Sequence, residues 1–62
     1  MKVWVAYNPI DDSTEVFKSK PGWWGSHKGW FGAYLGMLKY NYPGLTYKNS
    51  PKEVEVSMED VL

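Results

Sequence analysis

Few residues in this chain have the type and spacing that catalysis requires. The single histidine, His27, directly follows Ser26, whereas a nucleophile and its base are normally brought together by the fold. Asp11 and Asp12 form a carboxylate pair, but a metal ion needs more oxygen ligands converging on one point. We therefore expect no catalytic residue, no metal site and no cofactor, and we predict that the protein is not an enzyme.

A basic and aromatic interval occupies the middle of the chain. Between Glu15 and Glu53 there is no acidic residue, and this interval holds six of the seven lysines and three of the four tryptophans. Lysines neutralise phosphates and indole rings stack on bases, so the pattern is typical of a surface that binds single-stranded nucleic acid. The residues that would form this surface are Lys18, Lys20, Trp23, Trp24, Lys28 and Lys39.

The overall charge argues against phosphate as the main target. The formal net charge is zero at pH 7, whereas dedicated nucleic-acid-binding domains are usually strongly basic. The chain also contains no arginine, the residue that reads guanine through two parallel hydrogen bonds. We therefore rank sequence-nonspecific nucleic-acid binding as the alternative, behind the binding of a protein partner.

Glycines recur at Gly25, Gly29, Gly32 and Gly36, within a segment whose apolar residues have helical spacing. At about 100° per residue, a helix would place these four within about 60° of one another, as a strip of bare backbone. Such a strip permits close approach, either by a strand of the same protein or by the backbone of a partner. Gly29, Gly32 and Gly36 are therefore candidate binding residues.

The hydrophobic pattern predicts the elements that would position these residues. Alternating residues predict strands at 3–7, 14–19, 45–48 and 53–58. Apolar residues three and four positions apart predict a helix over 27–42, with Ser26 as its N-cap and Pro43 after its end. The expected fold is α+β: a small antiparallel sheet in the order β-β-α-β-β, with one helix packed on it.

Length and composition limit the class of protein. A chain of 62 residues makes one small domain, 1–62, and 44% hydrophobic residues are too many for an intrinsically disordered chain. The absence of cysteine removes disulfides and thiolate ligands. No run approaches the roughly 18 apolar residues of a membrane span, and the N-terminus lacks the apolar run of a signal peptide. We therefore expect a cytoplasmic protein without a membrane span.

These observations predict a small non-catalytic binding module, an inhibitor or accessory factor that docks on a protein through an aromatic and glycine-lined helix surface. Eleven aromatic residues exceed what one core of this size needs, so a homodimer that completes its core with a second copy is a further alternative. The adjacent Trp23 and Trp24 cannot easily both point inward. Either one of them lies at the surface, where tryptophan commonly anchors an interface, or the two cover opposite sides of a small sheet.

Overall fold

The structure is a computed structural model that describes residues 1–25 and 27–62, and almost all of its regular structure is β. The strands are β1 (Lys2–Asn8), β2 (Ser13–Phe17), β3 (Gly22–Trp23), β4 (Trp30–Phe31), β5 (Tyr34–Met37) and β6 (Lys52–Glu55). The one helical segment in this described part is a 3-10 turn at Met58–Asp60.

A four-stranded antiparallel sheet forms the centre of the fold, in the order β5-β2-β1-β6. The first hairpin was predicted from alternation at 3–7 and 14–19, and its pairing is confirmed, with Val5 opposite Val16. The strand predicted at 53–58 is present but shorter and one residue earlier, as β6. The strands β3 and β4 pair with each other and form a separate two-stranded ribbon.

The main core lies on one face of the sheet. The fully buried Val3 and Val5 of β1 lie opposite Val54 and Val16, so these four side chains share that face. The segment after β5 covers them with buried and half-buried side chains: Leu38, Tyr42, Leu45, Val56 and Val61. Burial of each valine is worth about 1.5–3 kcal/mol, which makes this layer the principal source of stability.

The other face of the sheet is covered by the β3–β4 ribbon. Ala6 and Phe17 point to this side and are buried. The backbone at Gly32 lies against the Phe17 ring. The Cδ2 atom of Phe17 is 3.4 Å from the position that a Cβ at Gly32 would occupy. The indole N–H of Trp30 donates a 2.9 Å hydrogen bond to the carbonyl of Tyr7. The sheet is therefore sandwiched between the ribbon and the C-terminal half of the chain.

The last residues of the chain run along the outer edge of β5. The N–H of Leu62 donates to the carbonyl of Met37 at 2.7 Å, and the N–H of Lys39 donates to the carbonyl of Asp60 at 2.9 Å. Leu38 and Val61 form an antiparallel bridge between these two bonds. Residues 60–62 therefore occupy backbone positions that another strand would take.

The helix predicted over 27–42 is wrong, and the α+β class fails with it. The segment forms β4, β5 and the turns around them. Gly29, Gly32 and Gly36 have φ values of +76°, +155° and +147°, whereas a right-handed helix needs φ near −60°. These glycines permit sharp changes of backbone direction, and the helical spacing of their apolar neighbours is coincidental. The predicted N-cap, Ser26, lies outside the described residues.

The strand predicted at 45–48 is also wrong, because this stretch belongs to a series of turns. The side chain of Asn49 accepts a hydrogen bond from the N–H of Thr46 and donates one to the carbonyl of Gly44. Asn and Ser offer the backbone such local partners in competition with a strand ladder. Alternation over four residues was too short to outweigh that competition.

The close fit of the chain end on Gly36 predicts a large cost for a side chain there. A Cβ would lie 2.6 Å from the Leu62 carbonyl oxygen and 2.8 Å from Val61 Cγ1, at a φ of +147°. Gly36→Ala should therefore lower the free energy of unfolding by about 2–4 kcal/mol, from strain and overpacking together. Urea denaturation followed by tryptophan fluorescence measures this loss.

Gly44→Ala is the matched control, because Gly44 also has a positive φ, +77°, but open space around it within the described structure. It should cost only the backbone strain of about 1–2 kcal/mol. Equal losses in the two variants would show that the chain end does not pack on Gly36.

Candidate binding groove

An open groove with a volume of about 420 Å³ lies at the end of the sheet where β1 finishes. Pro9 and Ile10 of the β1–β2 turn line it, together with Trp23 of the ribbon and Tyr47 of the turn series. Ile10 is 50% exposed and Tyr47 is 44% exposed, so their apolar surfaces are accessible from solvent. We call these the turn wall (Pro9, Ile10) and the aromatic wall (Trp23, Tyr47).

Trp30 packs against both rings of the aromatic wall. Trp23 and Trp30 are cross-strand partners in the ribbon, with ring centroids 4.8 Å apart. The Tyr47 ring meets Trp23 edge-on at 5.1 Å, a favoured geometry for aromatic pairs. Because the Trp30 indole is hydrogen-bonded to Tyr7, the ribbon holds the Trp23 ring in a defined position relative to the sheet.

Tyr47 lies in a turn that is fastened to the end of β1. The hydroxyl of Ser50 donates to the carbonyl of Thr46 at 2.7 Å and accepts from the N–H of Tyr7 at 2.9 Å. The side chain of Asn49 closes the same turn through the N–H of Thr46 at 2.7 Å. The exposed Tyr47 ring is therefore presented by an ordered backbone.

The turn wall is ordered by Asn8, a buried polar residue whose amide oxygen and amide nitrogen each have a hydrogen-bond partner. Its Oδ1 accepts the N–H of Ile10 at 2.9 Å, and its Nδ2 donates to Glu15 Oε2 at 3.0 Å. Asp12 has a φ of +58°, which aspartate tolerates better than most residues, and its Oδ1 accepts the Tyr7 hydroxyl at 2.6 Å. Side-chain bonds at both ends of the turn thus hold Ile10 in place.

The two walls continue into residues of opposite charge. Asp11 and Asp12 follow Ile10 on the turn wall and are exposed, whereas the exposed Lys48 follows Tyr47 on the aromatic wall. The hydrogen bond to Asp12 raises the pKa of Tyr7, and nearby Asp11 adds to the rise. The surroundings of the turn wall are therefore electronegative.

A second aromatic pair lies on the other face of the ribbon. Trp24 and Phe31 have ring centroids 4.5 Å apart, and the Phe31 ring occupies the space beside Gly22 where a side chain would stand. Of the adjacent tryptophans, Trp24 is 57% exposed and Trp23 is half-buried. The ammonium of Lys28 lies 5.5 Å from the Trp24 ring centroid, within cation–π range.

The other predicted lysines are spread over the molecule. Lys18 follows β2, Lys20 lies 6.0 Å from the Trp4 ring centroid, and Lys39 is joined through its backbone to the chain end. All three are exposed. The structure thus groups Lys28 with Trp24 and Lys20 with Trp4.

The glycine strip predicted as a docking surface does not exist, because there is no helix to align it. Residues of the same chain approach the backbone at three of the four glycines: Asn8 at Gly29, Pro21 and Phe17 at Gly32, and Val61 and Leu62 at Gly36, whereas the space at Gly25 is open within the described structure. At the buried Gly29 and Gly36 the protein itself fills the space that a partner was expected to enter, whereas Gly32 is exposed. Gly29, Gly32 and Gly36 therefore do not form the aligned strip through which binding was predicted.

Three lining residues, Pro9, Ile10 and Tyr47, were missed by the reasoning from sequence. Pro9 and Ile10 lie between the strands predicted at 3–7 and 14–19, and Tyr47 lies in the strand predicted at 45–48. No local signal marks these residues, because single apolar residues are common on protein surfaces.

Comparison with known proteins does not assign the chain, since no protein-family model, curated protein or solved structure matches it. Within residues 1–25 and 27–62, no helix has the length and apolar character that crossing a membrane requires. The same ranges contain no cluster of three or more His, Cys, Asp or Glu side chains that would hold a metal ion. A functional assignment therefore depends on the geometry of the groove.

The environment of Glu15 predicts a pH-dependent stability. Burial raises the pKa of this carboxyl above its usual value of 4.5, although the hydrogen bond from Asn8 opposes the rise. The ionised form therefore destabilises the folded state at neutral pH, and this cost disappears as the pH falls below 4.5. Glu15→Gln should stabilise the protein at pH 7 by less than about 1 kcal/mol, because the group is largely solvated.

Urea denaturation midpoints at about pH 7 and about pH 3 test this expectation. Glu15→Gln should raise the midpoint only at the higher pH. Glu53→Gln on the exposed edge strand β6 is the control for a change of net charge alone. A loss of stability in Glu15→Gln at pH 7 would contradict the argument, because the charged hydrogen bond to Asn8 would then outweigh burial.

Proposed function

We propose that the protein is a small non-catalytic binding module that holds an apolar segment of a partner protein between the turn wall and the aromatic wall. It would act as an inhibitor or accessory factor of that partner. The observation that carries the proposal is the exposure of Ile10 and Tyr47, which face an open groove although their surroundings are ordered. The expected cytoplasmic location and the homodimer stay predictions.

The energetics of the groove favour binding. Full burial of one large apolar side chain is worth about 1.5–3 kcal/mol, and Ile10 and Tyr47 leave about half of this gain unused. The hydrogen bonds of Asn8 and Ser50 have already ordered both walls in the unbound protein. A ligand would therefore gain the burial of apolar surface without the entropic cost of ordering loops.

The chemistry of the lining supports binding over catalysis. Proline, isoleucine, tryptophan and tyrosine provide apolar and ring surfaces, and none of the four carries a carboxylate, imidazole, thiol or amine. Tryptophan and tyrosine are the side chains that most often dominate the energy of protein interfaces. The groove thus has the composition of an interface anchor.

Two exposed tyrosines provide a matched test of this proposal. Tyr47 is 44% exposed in the groove and Tyr40 is 46% exposed outside it. For peptides selected from a random library on the immobilised protein, Tyr47→Ala should weaken binding by about tenfold or more. Tyr40→Ala should change it by less than about twofold. Fluorescence anisotropy with labelled peptides measures both.

Circular dichroism would establish that both variants remain folded. Equal affinities for the two variants, or selected peptides whose NMR shifts avoid Trp23 and Ile10, would contradict the proposal.

The exposed face of the ribbon favours a second candidate function, sequence-nonspecific binding of single-stranded nucleic acid. Trp24 offers an accessible ring on which a base could stack, and Lys28 places a positive charge beside that ring. This combination of ring and cation is what single-strand binding uses. The candidate ranks second because the chain has no net charge and no arginine.

The test of the second candidate uses an oligothymidine and tryptophan fluorescence at low salt. Trp24→Ala should remove about 1–3 kcal/mol of binding free energy, the worth of one stacked base. Lys28→Gln should lower the slope of log affinity against log salt by about one, whereas Lys52→Gln on β6 should leave it unchanged. No fluorescence change in the unmodified protein would exclude this function.

A further inference from the structure

We propose that the ligand of the groove is a proline-rich segment in the polyproline II conformation, bound with one of its Lys or Arg side chains beside Asp11 and Asp12. This inference rests on the proposed function, because it specifies which kind of partner segment the groove takes. It is carried by the shape of the groove, the chemistry of the two walls and their opposite charges.

The size and construction of the groove disfavour a helix or an added strand as the occupant. A bound helix uses anchor side chains spread from position i to i+7, over about two turns, whereas only four residues line this groove. Strand addition needs the exposed backbone of a sheet edge, but the lining consists of side chains from two turns and one ribbon. Pro9 has no N–H to offer such a strand.

Polyproline II matches the lining because its backbone makes no internal hydrogen bonds and stays solvated. An occupant that presents rings to the walls and its carbonyls to water needs no backbone partners from the protein. The Trp23 and Tyr47 rings meet at an interplanar angle of 61°, so together they form an angular apolar surface. Proline rings pack on such aromatic surfaces, and their preformed conformation lowers the entropic cost of binding.

The charges beside the walls specify the second element of the ligand. Asp11 and Asp12 are exposed, and hydrogen bonds from Ser13 and Tyr7 hold each carboxylate through its Oδ1. A cationic side chain of the ligand would be attracted to this pair. The exposed Lys48, which follows Tyr47 in the sequence, would repel the same cation, so the ligand should bind in one orientation.

The test uses three synthetic peptides of equal length, about twelve residues each. The first is an oligoproline with two lysines at one end, the second carries two glutamates in their place, and the third is a glycine–serine chain with the same lysines. Each is titrated into the ¹⁵N-labelled protein, whose four tryptophan indole signals distinguish the packed pair Trp23 and Trp30 from Trp24 and Trp4. The first peptide should shift the Trp23 signal and bind about tenfold more tightly than either other peptide.

The variant Asp11→Asn/Asp12→Asn tests the charge without altering the turn. Asparagine also accepts hydrogen bonds through Oδ1 and tolerates the left-handed backbone at position 12. This variant should weaken the binding of the lysine–oligoproline peptide by about fivefold or more. The lysine peptide should then bind no more tightly than the glutamate peptide. Glu53→Gln/Glu59→Gln, which removes two exposed carboxylates elsewhere, should leave both affinities unchanged.

The outcomes separate this inference from the proposed function. If library peptides without proline bind the groove and depend on Tyr47, while the oligoproline does not shift Trp23, the proline inference is overturned and the binding module stands. Shifts confined to Trp24 would overturn it as well. If neither library peptides nor oligoproline affect Trp23, the proposed function fails together with the inference. Equal binding of the lysine and glutamate peptides would overturn the role of Asp11 and Asp12.

Discussion

The backbone of Tyr7 is the point on which the arrangement of the groove depends. Strand β1 runs past the end of β6, whose last partner along β1 is Val5, so the peptide groups near Tyr7 need other partners. The N–H of Tyr7 donates to the Ser50 hydroxyl, and its carbonyl accepts the Trp30 indole. One residue therefore connects both the turn that carries Tyr47 and the ribbon that carries Trp23 to the end of the sheet.

This arrangement also gives the two faces of the ribbon different roles. The Trp23 and Trp30 rings face the sheet end and Tyr47, and Trp30 provides the attachment. Trp24 and Phe31 face away from that cluster. A ribbon this short would be unstable alone, so the bonds and ring contacts of its inner face allow the outer face to remain exposed.

Sequence reasoning succeeded where a local pattern determined the structure. Alternation identified β1 and β2, whose valines at every second position share the core face, and it also identified β6. It failed over 27–42, where glycines at positive φ override the helical spacing of Leu35 and Leu38. The positions of Gly29, Gly32 and Gly36 were interpreted as one side of a helix. The free-energy cost of three glycines in a helix instead argues against a helix in this segment.

The candidate site was predictable only in part, for a related reason. Trp23 and Trp24 were singled out because adjacent tryptophans cannot share one environment. Ile10 and Tyr47 become neighbours of Trp23 only through long-range bonds such as that between Ser50 and Tyr7, which no local pattern indicates. Asn8 and Ser50 are similarly ordinary in the sequence, although they order the two walls.

The chain end on β5 has a consequence for how the protein behaves in solution. An open sheet normally exposes unpaired N–H and C=O groups at both edges, and these groups template the addition of other chains. Here Leu62 and Asp60 occupy such positions beside β5, and the remaining edge, β6, carries the charged residues Lys52, Glu53 and Glu55. One edge is thus blocked by the protein's own backbone and the other by charge, which should keep this aromatic-rich protein from polymerising edge to edge.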